Sequence, residues 1–266
     1  MDNFNKKTIS SGLHTKWTGK TVHFARETDS TNLWIKRLAQ EGAEEGTLAV
    51  ADIQNAGRGR LGRRWSAPSG TSVMMSILLR PSYAPSYAPM MTLIMGLSVG
   101  QACKALGANV SIKWPNDVVI NGKKICGILT EMSAVGDKIE YAVIGTGINV
   151  NLRKFPPELV KTATSLCLEL GCEFDRLKVL DAVLIAFEEN YEKFLRTLDL
   201  SLIKDDYEKL LANKDRKVRV LDPLGEYEGT ARGINFRGEL LVELASGEIC
   251  EVSAGEVSVR GIYGYV

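Results

Sequence analysis

The stretch VSIKWPNDVVINGKKICGIL, residues 110–129, decides how the fold is read. Two apolar runs, 118–120 and 125–129, lie either side of Asn121-Gly122 and a lysine pair. Asn-Gly is the dipeptide that most readily adopts left-handed backbone at both central positions of a two-residue hairpin turn, so the runs are predicted to be paired strands. Upstream, 110–113 reads as another strand. Pro115 keeps Trp114 out of helical geometry, which makes Trp114-Pro115-Asn116-Asp117 a turn.

Working outward, residues 141–144 form the next strand, running into Gly145-Thr146-Gly147-Ile148-Asn149, with helices at roughly 177–195 and 202–211. Towards the N-terminus, 22–25, 48–52 and 72–79 carry strand patterns. Between the first two, Asp29-Ser30-Thr31-Asn32 opens a helix whose apolar residues Leu33, Trp34, Leu38 and Ala39 recur until Gly42, with Ser30 or Thr31 as its cap. Pro81, Pro85 and Pro89 mark a loop before a buried helix at 90–106. Beyond Lys214, short strands at 217–221, 227–234, 240–244 and 249–252, separated by glycine-containing turns, suggest a small barrel of about 50 residues. The expected class is α+β: a mixed β-sheet packed with helices over 21–213, a small β-barrel over 214–266, and a linker-like segment over 1–20.

A chain of 266 residues with 45% hydrophobic and 24% charged content can bury a full core and carries no disorder signature. The net charge of +1 gives no reason to expect DNA or an acidic membrane as partner. Five scattered cysteines without a CxxC pair, and two histidines confined to the N-terminal region, argue against a zinc site or disulfide framework. No apolar run approaches a membrane span and the N-terminus lacks an apolar signal core, so a cytoplasmic location without membrane attachment is expected.

Residues 57–64 hold four arginines and three glycines with no acid among them. Glycines let backbone N–H groups approach an oxyanion, and arginines supply planar forks for phosphate or carboxylate. Basic runs are usually only solvated turns, but the glycine spacing directly after a buried strand points to an anion site, with a loop expected to be mobile until its ligand arrives. The spacing fits neither a Walker A loop nor a Rossmann fingerprint.

Taken in order, Asp29-Ser30-Thr31-Asn32, Gln54-x-x-Gly57-Arg58-Gly59-Arg60, Lys113-Trp114-Pro115-Asn116-Asp117, Lys124-x-x-Gly127-Ile128-Leu129 and Gly145-x-Gly147-Ile148-Asn149 resemble the motif set of the biotin protein ligases. The resemblance runs from about Thr21 to the C-terminus. It implies a biotin/lipoate ligase-like fold, related to the catalytic domains of class II aminoacyl-tRNA synthetases, with an SH3-like C-terminal barrel. It also implies ATP, Mg²⁺ and biotin as reactants, and a lysine of a biotin carboxyl carrier protein as acceptor. Carried over residue by residue, Ser30, Thr31, Asn32 and Gln54 would contact biotin, whose neutral urea suits short polar groups and an amide. Gly57, Arg58, Gly59, Arg60, Lys124 and Gly127 complete that subsite, with Arg58, Arg60 and Lys124 as the catalytic charges. For ATP the resemblance implies Arg58, Arg60, Arg63, Lys113, Asn116, Asp117, Lys124 and Asn149. Asn149 would meet adenine, with Gly145 and Gly147 giving the ring room. Trp65 either packs on the nucleotide or anchors the loop, and Trp114 reads as core and pocket wall. Asn116 is an oxygen ligand suited to Mg²⁺. Asp117 either assists the metal, orients the incoming lysine, or is an ordinary turn residue. Leu61 departs from the family, where an arginine is common.

Two other readings remain open: a lipoate or octanoate ligase or transferase of the same superfamily, and a DNA-binding repressor. About twenty residues precede the catalytic region, too few for a three-helix DNA-binding domain, so a monofunctional ligase is expected, possible as a homodimer.

Overall fold

Asn121 and Gly122 take φ values of 50° and 74°, left-handed at both positions, and join β5 (Asp117–Ile120) to β6 (Lys123–Val135) in the computed structural model. The structure describes residues 3–222, 225–254, 258–261 and 265–266. The hairpin extends at both ends: β4 (Val110–Lys113) pairs with β5, and β6 pairs with β7 (Lys138–Asn149). β7 then pairs with β3 (Ser72–Leu79), which pairs with β2 (Leu48–Gln54). β1 (Val22–Thr28) adds the one parallel pairing of this sheet. The seven strands lie in the order β1-β2-β3-β7-β6-β5-β4.

Alternation along the central strands sorts their side chains into two cores. Leu48, Val50, Ile77, Leu79, Ala142 and Ile144 point into the larger one, with α3 (Ala88–Ala105) and α5 (Arg176–Thr197) packed over it. Ala49, Leu78 and Val143 point the other way, onto Ile35 and Ala39 of α2 (Thr31–Gln40). β3 is covered on both faces, so all eight of its residues are buried, the apolar ones and Ser72 and Ser76 alike. Pro89 belongs to the first turn of α3 and not to the preceding loop; its missing N–H costs nothing there.

Residues 3–20, expected to be linker-like, carry a helix and anchored backbone. Asn5 and Thr8 form a reciprocal capping box that starts α1 (Lys6–Gly12), and Ile9 is fully buried. The backbone N–H groups of Lys16, Trp17 and Thr18 all donate to the Glu188 carboxylate on α5, at 2.7, 2.8 and 2.7 Å. Short helices α4 (Leu166–Leu170) and α6 (Lys204–Leu210) complete the first unit.

β8 (Lys217–Leu221), β9 (Tyr227–Ile234), β10 (Leu240–Glu243), β11 (Ile249–Val252) and β12 (Ser258–Gly261) form a separate five-stranded antiparallel sheet, the expected SH3-like unit. β12, absent from the sequence reading, pairs with β8. Trp114 links the two units: it is 1% exposed and its indole N–H donates to Gly238 O at 2.9 Å. Trp114→Phe should therefore cost about 1–3 kcal/mol, the loss of the bond plus an unpaired buried carbonyl. Urea unfolding measures this, and an unchanged midpoint would count against the link. Among the described residues no helix is long and apolar enough to cross a membrane.

Candidate active site

One face of the large sheet is only partly covered by helix. α2 has ten residues and covers the Val143 end of β7, while Gly145, Gly147 and Asn149 continue along the same face beyond it. Gly147 sits directly opposite Gly127 of β6. These glycines let other groups lie against bare backbone. A Cβ at Gly145 would fall 2.0 Å from Asn32 Oδ1, and one at Gly147 would fall 2.4 Å from the Trp65 indole. Asn32 and Trp65 lie against the bare backbone of these two glycines. Between α2, the glycine face and the 57–65 loop lies a cleft of about 940 Å³, a volume suited to small-molecule ligands.

The α2 end of the cleft is polar and neutral. Ser30 is the N-cap of α2, yet neither it nor Thr31 caps with its side chain. The Gln54 Oε1 accepts from the Thr31 N–H at 2.7 Å and its hydroxyl at 3.1 Å, so a neighbouring strand satisfies the helix start. That leaves the buried Ser30 hydroxyl beside the cleft. Asn32 Oδ1 accepts from Ser76 at 2.6 Å, and its Nδ2 donates to Leu129 O at 3.2 Å and to Glu131 at 2.8 Å. Ser76 and Glu131 were missed by sequence reasoning. One is a small polar residue in an apolar strand, and the other carries no local motif. Glu131 also pairs with Lys36 at 2.6 Å and faces Arg58 at 3.8 Å. Burial pushes its carboxyl up, but Lys36 and Asn32 outweigh this and hold it below the ordinary range.

The opposite end is charged. A bulge in β6 makes Val118 pair with Cys126 and Val119 with Lys124, so one extra residue breaks the alternation. Ile125 and Cys126 both go inside, and Lys124 reaches Asp117 with Nζ–Oδ1 of 2.6 Å. The backbone of Lys124 is clamped as well, its N–H on Thr162 O at 2.8 Å and its carbonyl taking the Thr164 N–H at 2.9 Å. Asp117 also accepts from the Tyr265 hydroxyl. Burial alone would raise its carboxyl, yet Lys124, Tyr265 and Lys113 together hold it low. Lys113 is 7% exposed, its Nζ 4.5 Å from the Tyr265 ring centroid. Burial, reinforced by Lys124, pulls its ammonium down to about 8 against the opposing pull of Asp117.

The 57–65 loop is a small hairpin of its own. Trp65 N–H donates to Gly57 O at 2.9 Å and Gly59 N–H to Arg63 O at 2.7 Å, with Leu61 at φ 55° on the tip. Arg58, Arg63 and Arg64 are exposed, whereas Arg60 turns in and donates to Asn116 Oδ1 at 3.0 Å. Gly57 alone among the sequence-predicted site residues does not line the cleft. It is buried at the loop base, where a Cβ would meet Trp65 O at 2.2 Å. Trp65 bears on the loop's own closure through these contacts, and its indole N–H is buried with no acceptor among the described residues.

The oxygens nearest the magnesium position expected from the sequence already have protein partners. Asn116 Oδ1 is engaged by Arg60 and its Nδ2 donates to Ile128 O at 3.2 Å. Asp117 is engaged by Lys124 and Tyr265, and no cluster of three or more histidine, cysteine or carboxylate groups occurs among the described residues. Asn149 donates to Thr164 O at 3.1 Å from the floor of the cleft. The far wall, residues 152–163, was not singled out in the sequence because it has neither periodicity nor motif.

Residues 24–149 match the model of the Biotin/lipoate A/B protein ligase family, and residues 215–260 match the Biotin protein ligase C terminal domain. The chain is 39% identical over 242 residues to the bifunctional ligase/repressor BirA of Bacillus subtilis, covering 90% of this chain and 74% of that protein. It is 34% identical over 239 residues to the biotin–[acetyl-CoA-carboxylase] ligase of Mycobacterium tuberculosis, covering 87% and 86%. Among solved structures, the biotin protein ligase from Aquifex aeolicus in complex with biotin and ATP is similar with a TM-score of 0.80 and 34% identity, covering 91% of this chain and 99% of that one.

Proposed function

The chain belongs to the biotin/lipoate A/B protein ligase family, and from that premise we propose that it joins biotin to AMP at the expense of ATP and then passes the biotinyl group to a lysine of a biotin carboxyl carrier domain. The observation that carries this reading is one cleft with two unlike ends. A neutral pocket of Ser30, Thr31, Asn32 and Gln54 lies at one end, and Lys113, Lys124 and Arg60 gather round the single carboxylate of Asp117 at the other. A urea ring suits the first. The second suits a carboxylate meeting a phosphate, since both anions need cations before they can approach.

In the first step a biotin carboxylate oxygen attacks the α-phosphorus and the bond to pyrophosphate breaks. No proton moves in that exchange, so catalysis consists of holding two anions together and neutralising the charge that develops. Lys124 and Arg60 face the junction, and Lys113 takes the phosphate side. In the second step the amine of the carrier lysine attacks the acyl carbon and AMP leaves. The arginine loop keeps water from the mixed anhydride between the two steps. The net charge of +1 offers no general attraction for DNA, and the reading assigns no DNA partner; we propose the cytoplasm as the place of the reaction. Incubation with Mg²⁺-ATP, biotin and a carrier domain, read by pyrophosphate release and streptavidin blot, tests the reading. Pyrophosphate release with lipoate and none with biotin would overturn it.

A pH prediction follows from Lys113. Its folded-state pKa of about 8 lies below the ordinary lysine range, so between these values the unfolded chain binds more protons and stability should rise with pH. Its charge disappears over the same window. The KM for ATP should therefore rise above pH 8 while the melting temperature does not fall for this reason. Lys113→Arg should abolish the rise in KM; a rise that persists in that variant would assign the effect to another group.

A further inference from the structure

We propose that Tyr265, at the C-terminal end of the chain, is a positioning residue for the adenylation step: its hydroxyl holds the Asp117 carboxylate, and through it the Lys124 ammonium, in place. The inference rests on the ligase reading above. Asp117 is 4% exposed, and its two oxygens are divided between partners from distant parts of the chain. Oδ1 meets Lys124 Nζ at 2.6 Å, and Oδ2 accepts from Tyr265 Oη, 148 residues away in sequence. A carboxylate gripped at both oxygens cannot turn about its own axis, so the direction in which it holds Lys124 is set as well.

The choice of a phenol has a physical reason. Lys113, Lys124 and Arg63 already crowd this site with positive charge. A further cation, added to these and to Arg60 and Arg260, would increase repulsion, whereas a tyrosine hydroxyl supplies a donor with no charge. Burial and the adjacent carboxylate push the Tyr265 phenol far above neutrality, so it stays a donor throughout the working range. The same ring lies under Lys113 at 4.5 Å, where its negative face favours the ammonium. Tyr265 and Val259 both line the cleft, so the C-terminal part of the chain completes a site whose reacting groups all belong to the first unit.

The test compares Tyr265→Phe, Asp117→Asn and the double variant under single-turnover conditions, reading pyrophosphate release. Removing one hydrogen bond to a charged acceptor should slow adenylation by about ten-fold in Tyr265→Phe, with the KM for biotin within about two-fold. If Tyr265 works through Asp117, the double variant should be no slower than Asp117→Asn alone. Tyr265→Leu, which also removes the ring, should raise the KM for ATP above that of Tyr265→Phe. Multiplicative effects in the double variant would overturn the inference. So would wild-type rates in Tyr265→Phe, or a loss shared equally by biotin KM and rate that follows a lowered melting temperature. A wild-type protein that releases no pyrophosphate with biotin would instead sink the parent reading.

Discussion

Lys124→Ala should slow formation of the adenylate by about 10²–10³-fold, the usual effect of deleting one preorganised donor at a site of developing charge. The variant loses more than a point charge, because Lys124 is the 2.6 Å partner of a carboxylate that is itself 4% exposed. Removing Lys124 takes the nearest cation from a buried carboxylate that keeps Tyr265 and Lys113, so thermal stability should also fall, by roughly 1–3 kcal/mol. The two effects can be separated. Pairing with Asp117 needs only a positive charge, so Lys124→Arg should restore much of the stability. The longer planar fork cannot occupy the same point against the phosphorus, so adenylation should stay slow. Pyrophosphate release and a melting curve on the two variants are sufficient. If Lys124→Arg recovers rate and stability together, the lysine acts through folding alone and its place at the reacting centre is wrong.

Arg60→Gly should have a different signature: adenylate still forms but escapes. Arg60 is the one arginine of the loop that turns inward, and its bond to Asn116 ties the loop to the turn ahead of β5. Glycine removes both that tie and a fork on the carboxyl-phosphate junction. Losing a charge-assisted hydrogen bond of this kind costs roughly 1.5–3 kcal/mol, or about ten- to a hundred-fold in retention of biotinyl-AMP. Free biotinyl-AMP should accumulate and unrelated lysines should become labelled, while Lys124→Ala labels little of anything. Off-target biotinylation and pyrophosphate release, measured side by side on both variants, decide this. Equal loss of adenylation in both without leakage would mean that guarding the intermediate and stabilising its formation cannot be divided between these residues.

Local chemistry was enough to reveal much of this protein from its sequence. The Asn121-Gly122 turn, the eight-residue, mainly apolar strand β3 and the glycine-spaced strands β8 to β11 are properties of neighbouring residues, and each was predicted within a residue or two. The same holds for the ordered motifs, whose presence needs no three-dimensional knowledge. Elements held by distant partners were not legible. α1 looked like a linker because its stability comes from burying Ile9 against the rest of the fold, and β12 is a four-residue strand that exists only because β8 lies beside it.

The site divides in the same way. Residue types and spacing marked 57–64 as an anion-type loop and Ser30-Thr31 as a helix start, because both have local signatures; the roles of Arg58, Arg60 and Lys124 came only from the family resemblance. Tertiary structure decided how these groups are aimed. Gln54, a strand away, took over the helix start from Ser30 and Thr31, and the bulge opposite Val118 turned Lys124 onto Asp117. Tyr265 joined the cleft, and Ser76 and Glu131 came to hold Asn32 behind it, without any motif. A hydrogen bond requires two groups within about 3 Å; a sequence names both groups but contains no distance, and only the folded chain brings Tyr265 to Asp117.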